Sequence, residues 1–516
     1  MKKANTTGGK ILSGALALSI AAISVKIIGV LYKVPLSYIL GDEGMGYFNS
    51  AYAVYGFFYI LCTAGVPKAV TVLITEAKER TDSLAGEKIL KITLRVFFLI
   101  GLFFTLLLVT LSGPICALVG NSPSKASLLA IAPSLLFVSL SGVMRGYHNA
   151  EGGLGAVAVA EVIEAISKLG LGLLFAVLAE RLMLPLPICA ALSVLGISFG
   201  SFFGAVYLYL VIILKNKNEK AGQKCAINTK GLIRRFFKIA IPVSVSSSVL
   251  SLSGIIDLAL IMRGLKGAGY SEASASAIFG NYTTLVTPML NLVAAVLGPV
   301  SLAALPVLAS FVVSNRREEF KDTLIGTVRV LAFVSVPAML AFLLYGYTAL
   351  DLLFSDSAAL SAAPLLALIS PAAVLLPLLS LLNTSLEASG NFRTPVISLI
   401  VGGVVKIFFS ALPIFIVGIG ITSAPLGTVF SYFASLCISY GALRRAGLAN
   451  GIFTAYLRVF VAAALAFGIP HVVFYSLEIL PFGRLGAYIP AFSCAVLYVI
   501  FNIREILRMK KNVINC

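Results

Sequence analysis

Long apolar runs return from one end of this chain to the other, and they constrain its fold more than anything else. They lie near 11–40, 47–76, 89–119, 126–146, 154–180, 186–214, 232–262, 276–310, 322–354, 358–386, 394–418, 424–443, 453–477 and 486–507. A helix needs roughly 20 apolar residues to cross a bilayer, and within the hydrocarbon every backbone donor and acceptor must be satisfied inside the segment. Fourteen such runs predict an all-α polytopic membrane protein. The longer runs tilt, extend beyond the bilayer or kink at Pro67, Pro242, Pro288 or Pro306. A soluble chain of 516 residues would need charged surfaces for two or three domains, but only 12% of these residues are charged and 59% are hydrophobic. The opening MKKANTTGGK resembles a signal peptide. The run after it is too long for one, has no clear cleavage site and contains two lysines, so it reads as the first membrane helix.

Loop charges test this count. One set of alternate connections holds Lys78, Arg80, Lys88, Arg145, the basic residues from Lys215 to Arg235, Arg316, Arg317, Lys321, Arg393, Arg444 and Arg445. Both termini join it. The other set holds only Lys125, Arg181, Arg263, Lys266 and Arg484. Cytoplasmic loops carry the excess of Lys and Arg. Both termini are therefore expected in the cytoplasm of a bacterial cell, on the inner side of its membrane, and the helix number is expected to be even. The net charge of +18 is then accounted for by loops facing the membrane's anionic inner leaflet, and nucleic-acid binding is not needed to explain it. The seven cysteines form no CxxC and read as small apolar residues.

The chain repeats itself. RGYHNAEGGLGAVAVAEVIEAISK (145–168) and SLEASGNFRTPVISLIVGGVVK (385–406) share a frame, with Gly152 and Gly390, and Lys168 and Lys406, each 238 positions apart. GVPKAVTVLITEAKER and ALPVLASFVVSNRREE agree at Pro67 and Pro306, 239 apart. Each repeat holds six helices, an even number, so both halves share one topology. The expected organisation is an N-lobe at 1–214, a cytoplasmic linker at 215–231, a C-lobe at 232–446, and two further helices with a tail at 447–516. Two parallel six-helix lobes with a cavity between them form an alternating-access architecture.

Within the first run, SVKIIGVLYKVP carries Lys26 and Lys33 seven residues apart, on nearly one helix face. An ammonium near the bilayer centre costs roughly 2.5–3.5 kcal/mol on insertion scales, and no acid neighbours either lysine. Glu161, Glu164 and Lys168 form a second group at i, i+3 and i+7. Two accounts of it stand side by side. In one, Glu164 and Lys168 pair to let both sit in the bundle. In the other, a carboxylate is a proton or sodium site coupled to transport. Asp257 and Glu387 are similar acidic candidates. Lys406, the repeat counterpart of Lys168, either lines a cavity or neutralises an acid.

KIIGVLYKVPLSYILGDEGMGYFNSAYAVYGFFYILCTAGVPKAV resembles the opening of the polysaccharide-exporter branch of the multidrug/oligosaccharidyl-lipid/polysaccharide (MOP) flippase superfamily. LGDEGMG, GVPKAV, MRGYHNAEG followed by AEVIEAISK, and FRTPVISLIVGGVVK follow in the same order. The resemblance covers nearly the whole chain and lies closest to the stage V sporulation protein B group, relatives of the MurJ lipid II flippases. It implies alternating-access flipping of an undecaprenyl-pyrophosphate-linked wall or polysaccharide precursor, lipid II above all. Its implied partners are that lipid-linked oligosaccharide, membrane lipids and cell-wall synthesis enzymes. The relatives carry basic residues on the first helix around a KxxG/RxxG-like turn. Lys26 to Gly29 and Lys33 match that stretch, and Lys68 after GVP joins them as a binder of the anionic head group. Snorkelling to an interface is the alternative for Lys33. The chain departs from its relatives near 281–291, where Asn281, Tyr282, Pro288 and Asn291 stand in place of a further basic residue.

Enzymatic chemistry has little support. His148 and His471 are the only histidines, and no GxxxxGK[ST] phosphate loop occurs. No catalytic residue, metal or cofactor is expected. A cation-coupled multidrug exporter of the same fold is the alternative function, and a scaffold for wall-synthesis enzymes is a third.

Overall fold

The first apolar run and much of the second fold as one helix, α1 (Lys2–Thr63), broken only at Gly41, where φ is 62° and ψ is −176°. A side chain at this positive φ with extended ψ costs roughly 1–3 kcal/mol, so glycine suits the break. The turn expected over 41–46 thus shrinks to one residue, because 42–46 stay helical. The computed structural model describes residues 2–80, 85–216, 229–416, 420–449, 451–476 and 488–501. Most of the expected linker, at 217–228, and the tail beyond 501 lie outside the described residues.

The chain divides into two compact units, Met1–Gly280 and Asn281–Cys516. The first continues with α2 (Val66–Arg80), α3 (Ala85–Val119), the pair α4 (Lys125–Ile131) and α5 (Ser134–Ala150), α6 (Leu154–Arg181), α7 (Leu186–Asn216), α8 (Thr229–Gly267) and α9 (Glu272–Asn281). In the second, a π-helical turn at Tyr282–Val286 leads into α10 (Thr287–Val313). Then come α11 (Arg317–Asp351), the pair α12 (Asp356–Ile369) and α13 (Ala372–Ala388), α14 (Arg393–Phe415), α15 (Ser423–Arg445), α16 (Ile452–Ser476) and α17 (Tyr488–Phe501).

Among the described residues, nine helices are long and apolar enough to cross a membrane, or up to eleven if each bent pair is one span. The fourteen expected spans are consistent with this. One of the nine, Ser24–Ala77, is 54 residues long; at 1.5 Å per residue it far exceeds a bilayer, and the Gly41 break divides it. The remaining two expected spans coincide with α8 and α17.

The repeat is visible in the backbone. Ser122–Ile131 and Ser134–Ala150 bend by 41°, and Asp356–Ile369 and Ala372–Ala388 by 42°. The residues at the two bends, Pro133 and Pro371, are 238 positions apart, the offset seen in the sequence. Each pair ends at a left-handed glycine, Gly152 (φ 71°) or Gly390 (φ 81°). Each is followed by a lysine-bearing helix packed on the next one, α6 on α7 and α14 on α15. Glycine makes both approaches possible. A β-carbon on Gly196 would lie 2.5 Å from the Gly172 backbone, and one on Gly402 would lie 2.1 Å from Ser435 Oγ. Small residues let membrane helices come this close.

In the first unit the two loop sets gather at opposite ends. At one end, Arg263 donates to the Leu118 carbonyl, and Lys266 reaches the Gly120 carbonyl and Glu272. Gly46 lies against Ser276 there, and Gly44 against Leu186. At the other end Arg235 pairs with Glu76 and Gly86 lies near Glu151. Between them Val66, Val70, Ile74, Phe97, Val143, Leu208 and Phe236 form a buried core. In the second unit α16 and α17 lie against α11 through Val336, Ala463, Ala466, Phe467 and Cys494. Outward faces such as Leu99, Phe103 and Leu106 on α3 remain apolar and exposed, as a lipid-facing surface requires.

Candidate functional site

A charged cavity of about 370 Å³ lies inside the first unit. Its walls follow helical spacing. Val25, Ile28, Gly29 and Tyr32 share one face of α1 with Lys26 nearby, and Tyr52 and Tyr59 share a face beyond the Gly41 break. Glu161, Glu164, Ala165 and Lys168 line it from α6, and Arg145 enters from α5. Nothing lies within 4 Å of where a Gly29 β-carbon would be, so the α1 wall is open there.

Arg145 holds both acids. Its Nη1 lies 3.4 Å from Glu161 Oε1 and its Nη2 3.1 Å from Glu164 Oε2. The Ser201 hydroxyl, on α7, donates to the other Glu164 oxygen at 3.3 Å. A guanidinium has donors enough to bridge two carboxylates one turn apart. This corrects two expectations. Arg145 is not a loop charge but part of α5, with a side chain 20% exposed. The Glu164–Lys168 ion pair does not form, because Glu164 is taken by Arg145.

Lys168 has turned to aromatic faces instead. Its ammonium stands 5.2 Å from the Tyr32 ring centre and 5.4 Å from that of Tyr52. Tyr32 is 1% exposed, and its hydroxyl donates to the Ser193 carbonyl at 2.9 Å. Its ring fits because Gly172 has no β-carbon, which would lie 2.8 Å away. Tyr52 stacks on Phe48 at 6.2 Å.

The cavity therefore gathers Lys26, Glu161, Glu164 and Lys168 from the sequence candidates and adds Arg145. The signal for Arg145 was an excess of acids, two for one local lysine. Lys33 is half-buried and donates to Asn49 Oδ1 at 3.4 Å, and it is not among the cavity's lining residues. Lys68 is exposed on α2, and Asp257 is buried on α8. Glu387 and Lys406 are half-buried on α13 and α14 of the second unit. Among the described residues no group of three or more His, Cys, Asp or Glu is placed to hold a metal. The arrangement offers three cations against two carboxylates, and so suits an anionic group.

Comparison with known proteins fits this picture. The family described as polysaccharide biosynthesis protein matches residues 11–312. Stage V sporulation protein B of Bacillus subtilis is 24% identical over 304 residues, 58% of this chain and 58% of that protein. Lipid II flippase MurJ of Bacillus subtilis is 24% identical over 463 residues, 84% of this chain and 83% of that one. The match thus spans less than two thirds of the first relative and more than four fifths of the second. Among solved structures, lipid II flippase MurJ in an inward closed conformation superposes with a TM-score of 0.72 at 17% identity, over 95% of this chain and all of that one. An inward-facing multidrug resistance MATE family transporter of the MOP superfamily gives 0.64 at 13% identity, over 83% and 98%. These likenesses are in fold. With the family match running over more than half its length, the chain belongs to the polysaccharide biosynthesis protein family.

Proposed function

We propose that this protein is an alternating-access flippase. Its substrate is an undecaprenyl-pyrophosphate-linked cell-wall or polysaccharide precursor, lipid II above all, which it moves across the bacterial cytoplasmic membrane. The observation that carries this reading is the excess of cations in the charged cavity. A pyrophosphate head group entering a bilayer must exchange its water for fixed cations and donors. With Glu161 and Glu164 held by Arg145, Lys26 and Lys168 add positive charge without a matching acid. Lys33, on the same helix as Lys26, and Lys68 extend the basic path. The relative named lipid II flippase, aligned over most of this chain, supports the same substrate class.

On this reading the lobes are 1–214 and 232–446, and both termini lie in the cytoplasm. The protein is a transporter rather than an enzyme and works beside the wall-synthesis enzymes that make and use its substrate. The test is complementation of a strain depleted of its lipid II flippase. Growth restored by the wild-type chain is the expected result, and failure despite normal membrane levels would contradict it.

Cation-coupled drug export is the second reading, favoured by the acid pair and the tyrosines Tyr52 and Tyr59 in the same cavity. It requires a carboxylate free to bind the coupling ion or drug, whereas both acids are bonded to Arg145. Drug resistance conferred on a sensitive host, without rescue of the depleted strain, would reverse the order of the two readings.

A further inference from the structure

Glu164 and Lys168 stand one helical turn apart on α6, in the order that best favours an ion pair, yet the pair is not made. Arg145 occupies the carboxylate, and the Lys168 ammonium lies over the faces of Tyr32 and Tyr52. The difference matters for charge. A carboxylate partner would cancel the positive charge of Lys168, whereas a ring face within about 6 Å attracts the cation without neutralising it. Among the described residues, Lys168 makes no ion pair, and Lys26 on the opposite wall makes none either. Cations gathered along one cavity without a matching acid call for an anion.

The Tyr32 side of the cage is locked in place. Tyr32 is fixed by its bond to the Ser193 carbonyl and by its fit against Gly172. Tyr52 is stacked on Phe48. A flexible lysine stem held at its tip by two ring faces loses less freedom when a ligand binds.

We propose that Lys168, positioned by Tyr32 and Tyr52, joins Lys26 as a binding cation for the pyrophosphate of the lipid-linked substrate, while Arg145 serves as the fixed counter-ion of Glu161 and Glu164. This inference rests on the flippase reading and adds to it a residue on α6 and an aromatic cage that holds the lysine in place without an acid to neutralise it.

The experiment measures binding of undecaprenyl pyrophosphate to the full chain in phosphatidylcholine nanodiscs, with inorganic pyrophosphate as a soluble competitor. Wild type is expected to bind, with inorganic pyrophosphate displacing the lipid only at much higher concentration. Lys168→Met is expected to weaken binding about tenfold or more, the loss of one charged hydrogen bond, and Lys168→Arg to recover part of it. Tyr52→Leu is expected to weaken binding several-fold, and Tyr52→Phe, which keeps the ring face, to bind more tightly than Tyr52→Leu. Lys91→Met, at an exposed lysine paired with Glu87, is the control for a general loss of charge. If wild type binds and Lys26→Met is weakened while Lys168→Met, folded by thermal unfolding, binds as wild type, the role of Lys168 is overturned and the flippase reading stands. Equal weakening by Tyr52→Phe and Tyr52→Leu would overturn the cage. No binding by wild type would overturn the flippase reading itself.

Discussion

Arg145 on α5 bridges to α6 through Glu164, with Nη2 and Oε2 3.1 Å apart, and the same guanidinium reaches Glu161 at 3.4 Å. One cation thus ties together two helices that the chain connects through the left-handed Gly152. Removing one member of a largely buried ion network strands the others, whereas removing all of them together is often neutral. Arg145→Met is therefore expected to destabilise the protein by about 3 kcal/mol. Arg145→Met with Glu161→Gln and Glu164→Gln should recover most of that loss. Thermal unfolding in detergent measures both, and a triple variant less stable than the single would contradict the counter-ion role.

The α6–α7 crossing depends on glycine. A β-carbon at Gly196 would meet the Gly172 backbone at 2.5 Å, which no side-chain rotation relieves. Gly196→Ala is expected to destabilise by about 1–3 kcal/mol and to disturb the Tyr32 cage through Gly172. Gly170→Ala, with nothing within 4 Å, is expected to be tolerated. Equal melting temperatures for the two variants would show that the helices do not pack this closely.

Gly41 lets α1 turn between its two membrane segments. With φ at 62° and ψ at −176°, Gly41→Ala places a side chain in a region that only glycine adopts readily, at a cost of about 1–3 kcal/mol. The expected result is a lower melting temperature and slower transport at normal membrane levels. Unchanged values for both would mean that the break does not depend on this conformation.

The segregation of loops to two ends of the first unit predicts labelling from opposite sides of the membrane. In a cysteine-free background, Ser271→Cys should react with a membrane-impermeant maleimide in intact cells, and a cysteine at position 220 only after permeabilisation. Reaction of position 220 from outside would contradict a cytoplasmic 215–235 segment.

Much of this architecture was legible in the sequence, since hydropathy and internal offset follow from the lipid environment and from duplication. The 238-residue spacing of Gly152 and Gly390, and of Lys168 and Lys406, matches the glycine turns and lysine-bearing helices that the backbone displays, whereas the bends at Pro133 and Pro371 left no mark in the hydropathy pattern. The site was legible only along single helices. Lys26, Glu161, Glu164 and Lys168 stood out because charge is costly in a membrane segment. Their partners come from other helices, and helical spacing carries no information about those. Spacing therefore puts Arg145 among loop charges near a helix end, and for Glu164 it offers only the lysine one turn away or a coupling role. The tyrosines that hold Lys168 carry no signal in the sequence, because a ring face that binds a cation leaves no mark in composition or spacing.

Transport itself tests the central claim most directly. The purified chain, reconstituted into vesicles carrying a fluorescent undecaprenyl-pyrophosphate-linked sugar, should make the inner-leaflet pool accessible to a membrane-impermeant quencher added outside. Lys26→Met combined with Lys33→Met, incorporated to the same level, should leave that pool protected. Transfer by the double variant at the wild-type rate would show that the head group is held elsewhere, and absence of transfer by the wild-type chain would contradict flipping of this substrate.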